Sequence, residues 1–105
     1  MVLGEADDGR VVDVGVGDQV VVRLEENPTT GYRWELVDLP PAVELAGDSF
    51  TLGEPVKVGS GGTRELTFIC RNPGAARLQL RHWQAWEGES SVTRTVTFPL
   101  LVAGS

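Results

Sequence analysis

Gln19-Val20-Val21-Val22-Arg23-Leu24-Glu25, then Glu26-Asn27-Pro28-Thr29-Thr30-Gly31, then Tyr32-Arg33-Trp34-Glu35-Leu36-Val37 is the stretch that decides the fold class. The first segment places Val20, Val22 and Leu24 on one face and Val21, Arg23 and Glu25 on the other, the period-two pattern of a strand with one buried side. The third segment repeats it, with Tyr32, Trp34 and Leu36 alternating against Arg33, Glu35 and Val37. Between them lies a turn. Asn27-Pro28 favours chain reversal, Pro28 restricts Asn27 to extended backbone, and Gly31 can adopt the positive φ that a tight reversal needs. A stiff polar loop of this kind suits recognition, and the same chemistry also serves a plain hairpin connection.

Working outward, residues 10–14 read as a strand that turns through Gly15, Gly17 and Asp18 into the segment above. Pro40-Pro41 ends the Trp34 strand. Residues 42–57 admit two descriptions: separate short strands at 43–45 and 49–52, or an irregular crossing that ends in a strand near 55–58. Gly59-Ser60-Gly61-Gly62 then forms a loop almost without side chains. Residues 64–71 alternate again, with Leu66, Phe68 and Cys70 inward, and Asn72-Pro73-Gly74 is a strong turn signal. Residues 77–84 place Leu78, Leu80 and His82 on one face and Arg81 and Trp83 on the other. A polar stretch at 87–91 leads to the last and longest segment, 92–102, with Val92, Val96, Phe98, Leu100 and Val102 on its apolar side. No segment has helical periodicity.

About seven or eight short strands separated by turn signals imply an all-β protein, an immunoglobulin-like antiparallel β-sandwich. Trp34 falls where such folds bury a tryptophan on their third strand. The lone Cys70 leaves no internal disulfide to form, so the core alone must hold the fold. One domain over residues 1–105 is expected, with 1–9 a flexible lead-in. Parity adds a prediction: in an up-and-down arrangement, loops separated by two strands emerge at the same end. The loops at 27–31, 59–62 and 85–91 then share one edge, provided residues 42–52 add no extra strand to the up-and-down count.

Composition excludes several function classes. The net charge is −6, and the nine basic residues include a single lysine, Lys57, which argues against a nucleic-acid partner. No apolar run reaches the roughly 20 residues that span a bilayer. Glu5, Asp7 and Asp8 occupy the place where a signal peptide would be basic and then apolar, so the chain as given is expected to be cytoplasmic. A secreted or periplasmic protein trimmed of its export signal would look the same. Cys70 and His82 are the only thiol and imidazole, and both fall on inward faces mid-strand, where a thiol is inert. They provide neither a nucleophile pair nor a zinc shell, and the glycine-rich run lacks the lysine of a phosphate loop. No catalytic residue, cofactor or metal is expected.

Asn27-Pro28-Thr29-Thr30-Gly31-Tyr32 resembles the Asn-Pro-Thr-Thr-Gly-aromatic motif of the chagasin-like inhibitors of papain-type cysteine peptidases, and Gly59-Ser60-Gly61-Gly62 resembles their Gly-X-Gly-Gly motif. Their third motif, Arg-Pro-Trp before the last strand, corresponds to Gln84-Ala85-Trp86, in which only the tryptophan is kept. Arg81-His82-Trp83 also pairs an arginine with a tryptophan, but lies within the preceding strand. The resemblance implies a monomeric, reversible inhibitor whose three loops enter the peptidase cleft as a wedge, with the Asn27–Gly31 loop nearest the catalytic cysteine. In that setting Pro28 lowers the ordering cost of binding, Gly59 to Gly62 let main chain approach a wall of the cleft, and Trp86 supplies an apolar anchor. Against these roles, Tyr32 could be a core residue at the strand start and Trp86 could close the end of the core. A competing description is a carbohydrate-binding or adhesive sandwich that uses Trp83 and Trp86 as stacking platforms.

Overall fold

The computed structural model describes residues 1–27, 30–52 and 61–104, with the side chain of Ala85 left aside. Among the described residues there are eight strands: β1 (Val2–Leu3), β2 (Val12–Gly15), β3 (Gln19–Glu26), β4 (Arg33–Asp38), β5 (Val43–Leu52), β6 (Gly62–Cys70), β7 (Gly74–Trp83) and β8 (Arg94–Ala103). They form two four-stranded sheets, ordered β1-β3-β6-β5 and β2-β8-β7-β4. This is the expected immunoglobulin-like sandwich. Its pairings are antiparallel except at the N-terminal side, where β1 runs parallel to β3 and β2 parallel to β8. Short 3-10 segments occur at Glu5–Asp7, Ala85–Glu87 and Glu89–Ser91.

The alternating faces meet between the sheets. Val20, Val22 and Leu24 of β3 and Leu66, Phe68 and Cys70 of β6 pack with Leu78 and Leu80 of β7 and Val96, Phe98, Leu100 and Val102 of β8. All are nearly or fully buried, the arrangement that two inward-facing period-two surfaces produce. Trp34 is 5% exposed, and its indole N–H donates to the Glu25 carbonyl at 2.8 Å, so its polar edge is satisfied inside the sandwich. Burial, with a smaller push from Asp18, raises the pKa of the Cys70 thiol and keeps it an inert core group.

Three expectations need adjustment. Residues 1–9 are not a loose lead-in: β1 pairs with β3, Leu3 is 1% exposed within the core, and Asp7 caps the following turn by accepting from the Gly4 N–H at 2.9 Å. Residues 43–52 are one continuous ten-residue strand with a register shift between Leu45 and Gly47, and the suggested strand near 55–58 lies outside the described residues. Val92 precedes β8 and is only half-buried.

Candidate functional site

The single strand β5 satisfies the parity condition, and the register shows the outcome. Glu26, the last residue of β3, and Leu52, the last of β5, both pair with Gly62 at the start of β6. In the other sheet Arg33, the first residue of β4, pairs with Trp83, and His82 pairs with Arg94 at the start of β8. The connections β3–β4, β5–β6 and β7–β8 therefore emerge together. Side chains join them directly. The Gln84 amide donates to the Thr30 carbonyl at 3.0 Å, linking the third loop to the first. Gly61 of the second loop lies beside Glu26 and Asn27 of the first.

Within the first loop, the Thr30 hydroxyl donates to the Asn27 carbonyl at 2.8 Å and accepts from the Tyr32 N–H at 3.3 Å. Gly31 adopts φ +78°, and a Cβ there would collide with the indole of Trp86. Two independent constraints thus select glycine at this position. Trp86 itself is 68% exposed, covering Gly31 with one edge and leaving most of its surface free. It does not close the core. Tyr32 is half-buried, its ring stacked on His82 at 5.2 Å between centroids, so it supports the loop from below. A groove of about 710 Å³ separates the first two loops from the start of β8, lined by Asn27, Thr30, Tyr32, Gly61, His82 and Arg94 among others. Pro28, Thr29, Gly59 and Ser60 lie outside the described residues.

The two glycines of the second loop that are described differ in what they need. A Cβ at Gly62 would collide with the Thr51 carbonyl and the Phe50 ring, so its lack of a side chain is demanded by its own sheet. Among the described residues, a Cβ at Gly61 would meet no backbone atom nearer than 3.4 Å. Gly61 is exposed, and the described residues around it leave room for a side chain.

The third loop is built on Ser91, whose hydroxyl accepts from the Gln84 N–H at 3.0 Å and lies 2.7 Å from the Gly88 carbonyl. The Arg81 guanidinium carbon sits over the Trp83 ring, 3.4 Å from its centroid, and Arg81 bridges Glu35 of β4 to Glu89 of this loop. Hydrogen bonding to Glu35, then to Glu89, raises the Arg81 pKa against the cost of burial and keeps the cation charged. The Arg81-His82-Trp83 segment is therefore scaffold, and Trp86 is the tryptophan at the tip.

Sequence reasoning missed the group beneath the loops. Glu26 is 3% exposed, yet it carries a carboxylate. One oxygen accepts from the Trp34 N–H at 2.6 Å, and the other takes two bonds from the Arg64 guanidinium at 2.7 and 3.0 Å. Arg64 continues to Asp48 at 2.9 Å. Burial works against the Arg64 cation, and the bonds to Glu26 and Asp48 outweigh it, holding its pKa above the ordinary value. The signal was present: Val20, Val22, Leu24 and Glu26 share one parity, so Glu26 had to point inward.

A sandwich that gathers three loops at one end, with its only thiol buried at the far end of β6, defines a binding scaffold. The chain belongs to the chagasin family: the family model described as "Chagasin family peptidase inhibitor I42" matches residues 13–100. Amoebiasin-2 of Entamoeba histolytica is 23% identical over 110 residues, covering 96% of this chain and 84% of that protein. Chagasin of Trypanosoma cruzi is 25% identical over 91 residues, covering 82% and 83%. Among solved structures, the cysteine protease inhibitor EhICP2 of E. histolytica superposes with a TM-score of 0.85 at 22% identity over 97% of this chain and 93% of that one. PbICP-C, solved in complex with falcipain-2, gives 0.65 at 15% identity over 98% and 90%. These likenesses fall on the sandwich as a whole.

Proposed function

We propose that this protein is a reversible, non-covalent inhibitor of papain-type cysteine peptidases that inserts its three-loop end into the catalytic cleft. The observation that carries this is the meeting of three loops at one end of the sandwich, where Gln84 bonds to Thr30, Trp86 covers Gly31, and Gly61 lies beside Glu26 and Asn27, in a chain of the chagasin family. The exposed Thr30 sits at the centre of the wedge, and Asn27, Pro28, Thr29, Gly31 and Tyr32 shape the loop that presents it to the catalytic thiol. Gly61 offers bare main chain to one wall beside Gly62, and Gly59 and Ser60 complete the glycine-rich motif assigned to that contact. Trp86 packs against the opposite wall as the apolar anchor, with Gln84 and Ala85 setting its approach.

Thr30 presents a hydroxyl engaged with its own loop, and the loop is tied internally at both Thr30 and Tyr32. Such a segment fills the cleft without relaxing into the extended form that cleavage requires, because its ordering cost has been met in advance. The carbohydrate-binding alternative loses ground, since Arg81 already occupies a face of Trp83 and Trp86 alone does not make a stacking platform. The test is a titration of active-site-quantified papain with the protein and a fluorogenic peptide. Tight inhibition that reverses on dilution, with one inhibitor per peptidase, is expected. Full papain activity at a large molar excess of folded protein would overturn the proposal.

A further inference from the structure

Burying a carboxylate is unfavourable unless it is paired, and a well-packed apolar residue commonly serves as well or better. At the end of β3, after Val20, Val22 and Leu24, a fourth apolar residue would continue the core. The chain places Glu26 there, with its side chain 1% exposed. The partners of this carboxylate explain the choice. Through Trp34 N–H it reaches β4, through Arg64 it reaches β6, and through Arg64 and Asp48 it reaches β5. Those strands, with β3 itself, carry both ends of the first two loops. An apolar side chain could fill the volume. It could not take a hydrogen bond from an edge-strand N–H and hold a guanidinium fork at the same time.

We propose that Glu26 is a positioning residue for inhibition: its buried contact with Trp34 N–H and Arg64 sets the first two loops in one mutual disposition before any peptidase arrives. This rests on the inhibitory role proposed above and names the group that pre-organises it. Removing the carboxylate leaves the sandwich core of β6, β7 and β8 in place but lets the loop roots shift. Only the fraction of molecules in the competent arrangement then binds, and the apparent affinity falls by that fraction.

Glu26→Gln, Arg64→Gln and the double variant test this against papain, with the folded, active fraction of each measured by titration. Each single variant is expected to weaken the inhibition constant per active molecule by about tenfold or more, and the double variant to be no weaker than the worse single one. Arg64→Lys, which keeps the charge but not the fork, is expected to fall between wild type and Arg64→Gln. In the free protein, the amide signals of Thr30 and Gly61 should broaden in Glu26→Gln while those of Leu78 and Phe98 stay sharp. If Glu26→Gln folds poorly, the Arg64 variants make the same measurement. Unchanged inhibition per active molecule in all variants, or additive losses in the double variant, would overturn the positioning role. Failure of the wild-type protein to inhibit would instead overturn the function itself, and the amide signals would still report whether Glu26 orders the loops.

Discussion

The two ends of the sandwich are closed by different means. At the end carrying the turns at 16–18, 39–42 and 71–73, backbone groups do the closing: Val16 N–H donates to Ala103, Gly17 to Cys70, Cys70 to Asp18, and Arg71 and Asn72 both to Ala42. At the opposite end, the backbone bonds among the described residues stay within single loops, and the ties between loops are made by side chains: Glu26, Arg64, Gln84 and the ring of Trp86 over Gly31. Backbone closure depends little on which residues occupy the turn. Side-chain closure can be altered one residue at a time, so the second end can be tuned for a partner while the first keeps the fold. The side-chain ties between loops are therefore concentrated at the end proposed to enter the peptidase cleft, and the apolar core lies between the two ends.

The comparison can be broken or sharpened by substitution. Thr30→Glu puts a charge at the tip of the first loop, and papain inhibition should weaken by about a hundredfold or more, the scale of an interface hot spot. Its thermal midpoint should stay close to that of wild type, because Thr30 is exposed. Phe68→Ala, at the fully buried centre, should give the reverse pattern: about 3–5 kcal/mol less stability in denaturant titration, with inhibition per folded molecule unchanged. Gln84→Leu removes the bond to the Thr30 carbonyl, which should weaken inhibition by about three- to tenfold, the equivalent of one exposed hydrogen bond.

A smaller effect concerns pH. Burial lowers the pKa of His82, against an opposing pull from Glu26, so the folded state prefers the neutral ring. The unfolded chain then binds the proton more readily. The stabilisation is present above the ordinary histidine pKa and is lost as pH falls through it. Thermal midpoints of wild type and His82→Gln should converge between neutral and mildly acidic pH, with wild type showing the steeper decline. Smallest of all, Asn72→Ala at the backbone-closed end loses one exposed bond to Pro41 and should change stability by no more than about 0.5 kcal/mol, with inhibition untouched.

Much of this was legible in the chain, for physical reasons that vary by element. β3, β6, β7 and β8 each bury one face against the other sheet, so the period of two survives in the residues. β5 is an edge strand with a register shift, and its exposed outer positions erase the alternation that would have marked it as one strand. β1 has two residues, too short for any period, although Leu3 is buried as deeply as Leu24. Of the site, the first loop and Gly61 could be read from turn chemistry and motif order. The roots could not, because Arg64 and Glu26 are 38 residues apart and their pairing exists only once β3 and β6 are in register. Glu26 was hidden by its own charge: an acid before Asn27-Pro28 looks like the start of a solvated loop.

Backbone amide exchange of the protein, free and bound to catalytically blocked papain, tests the central claim most directly. Slowing confined to 27–32, 53–62 and 84–93, with 16–18, 39–42 and 71–73 exchanging as in the free protein, is the predicted result. Protection of a single loop, or of the backbone-closed end, would contradict a three-loop wedge.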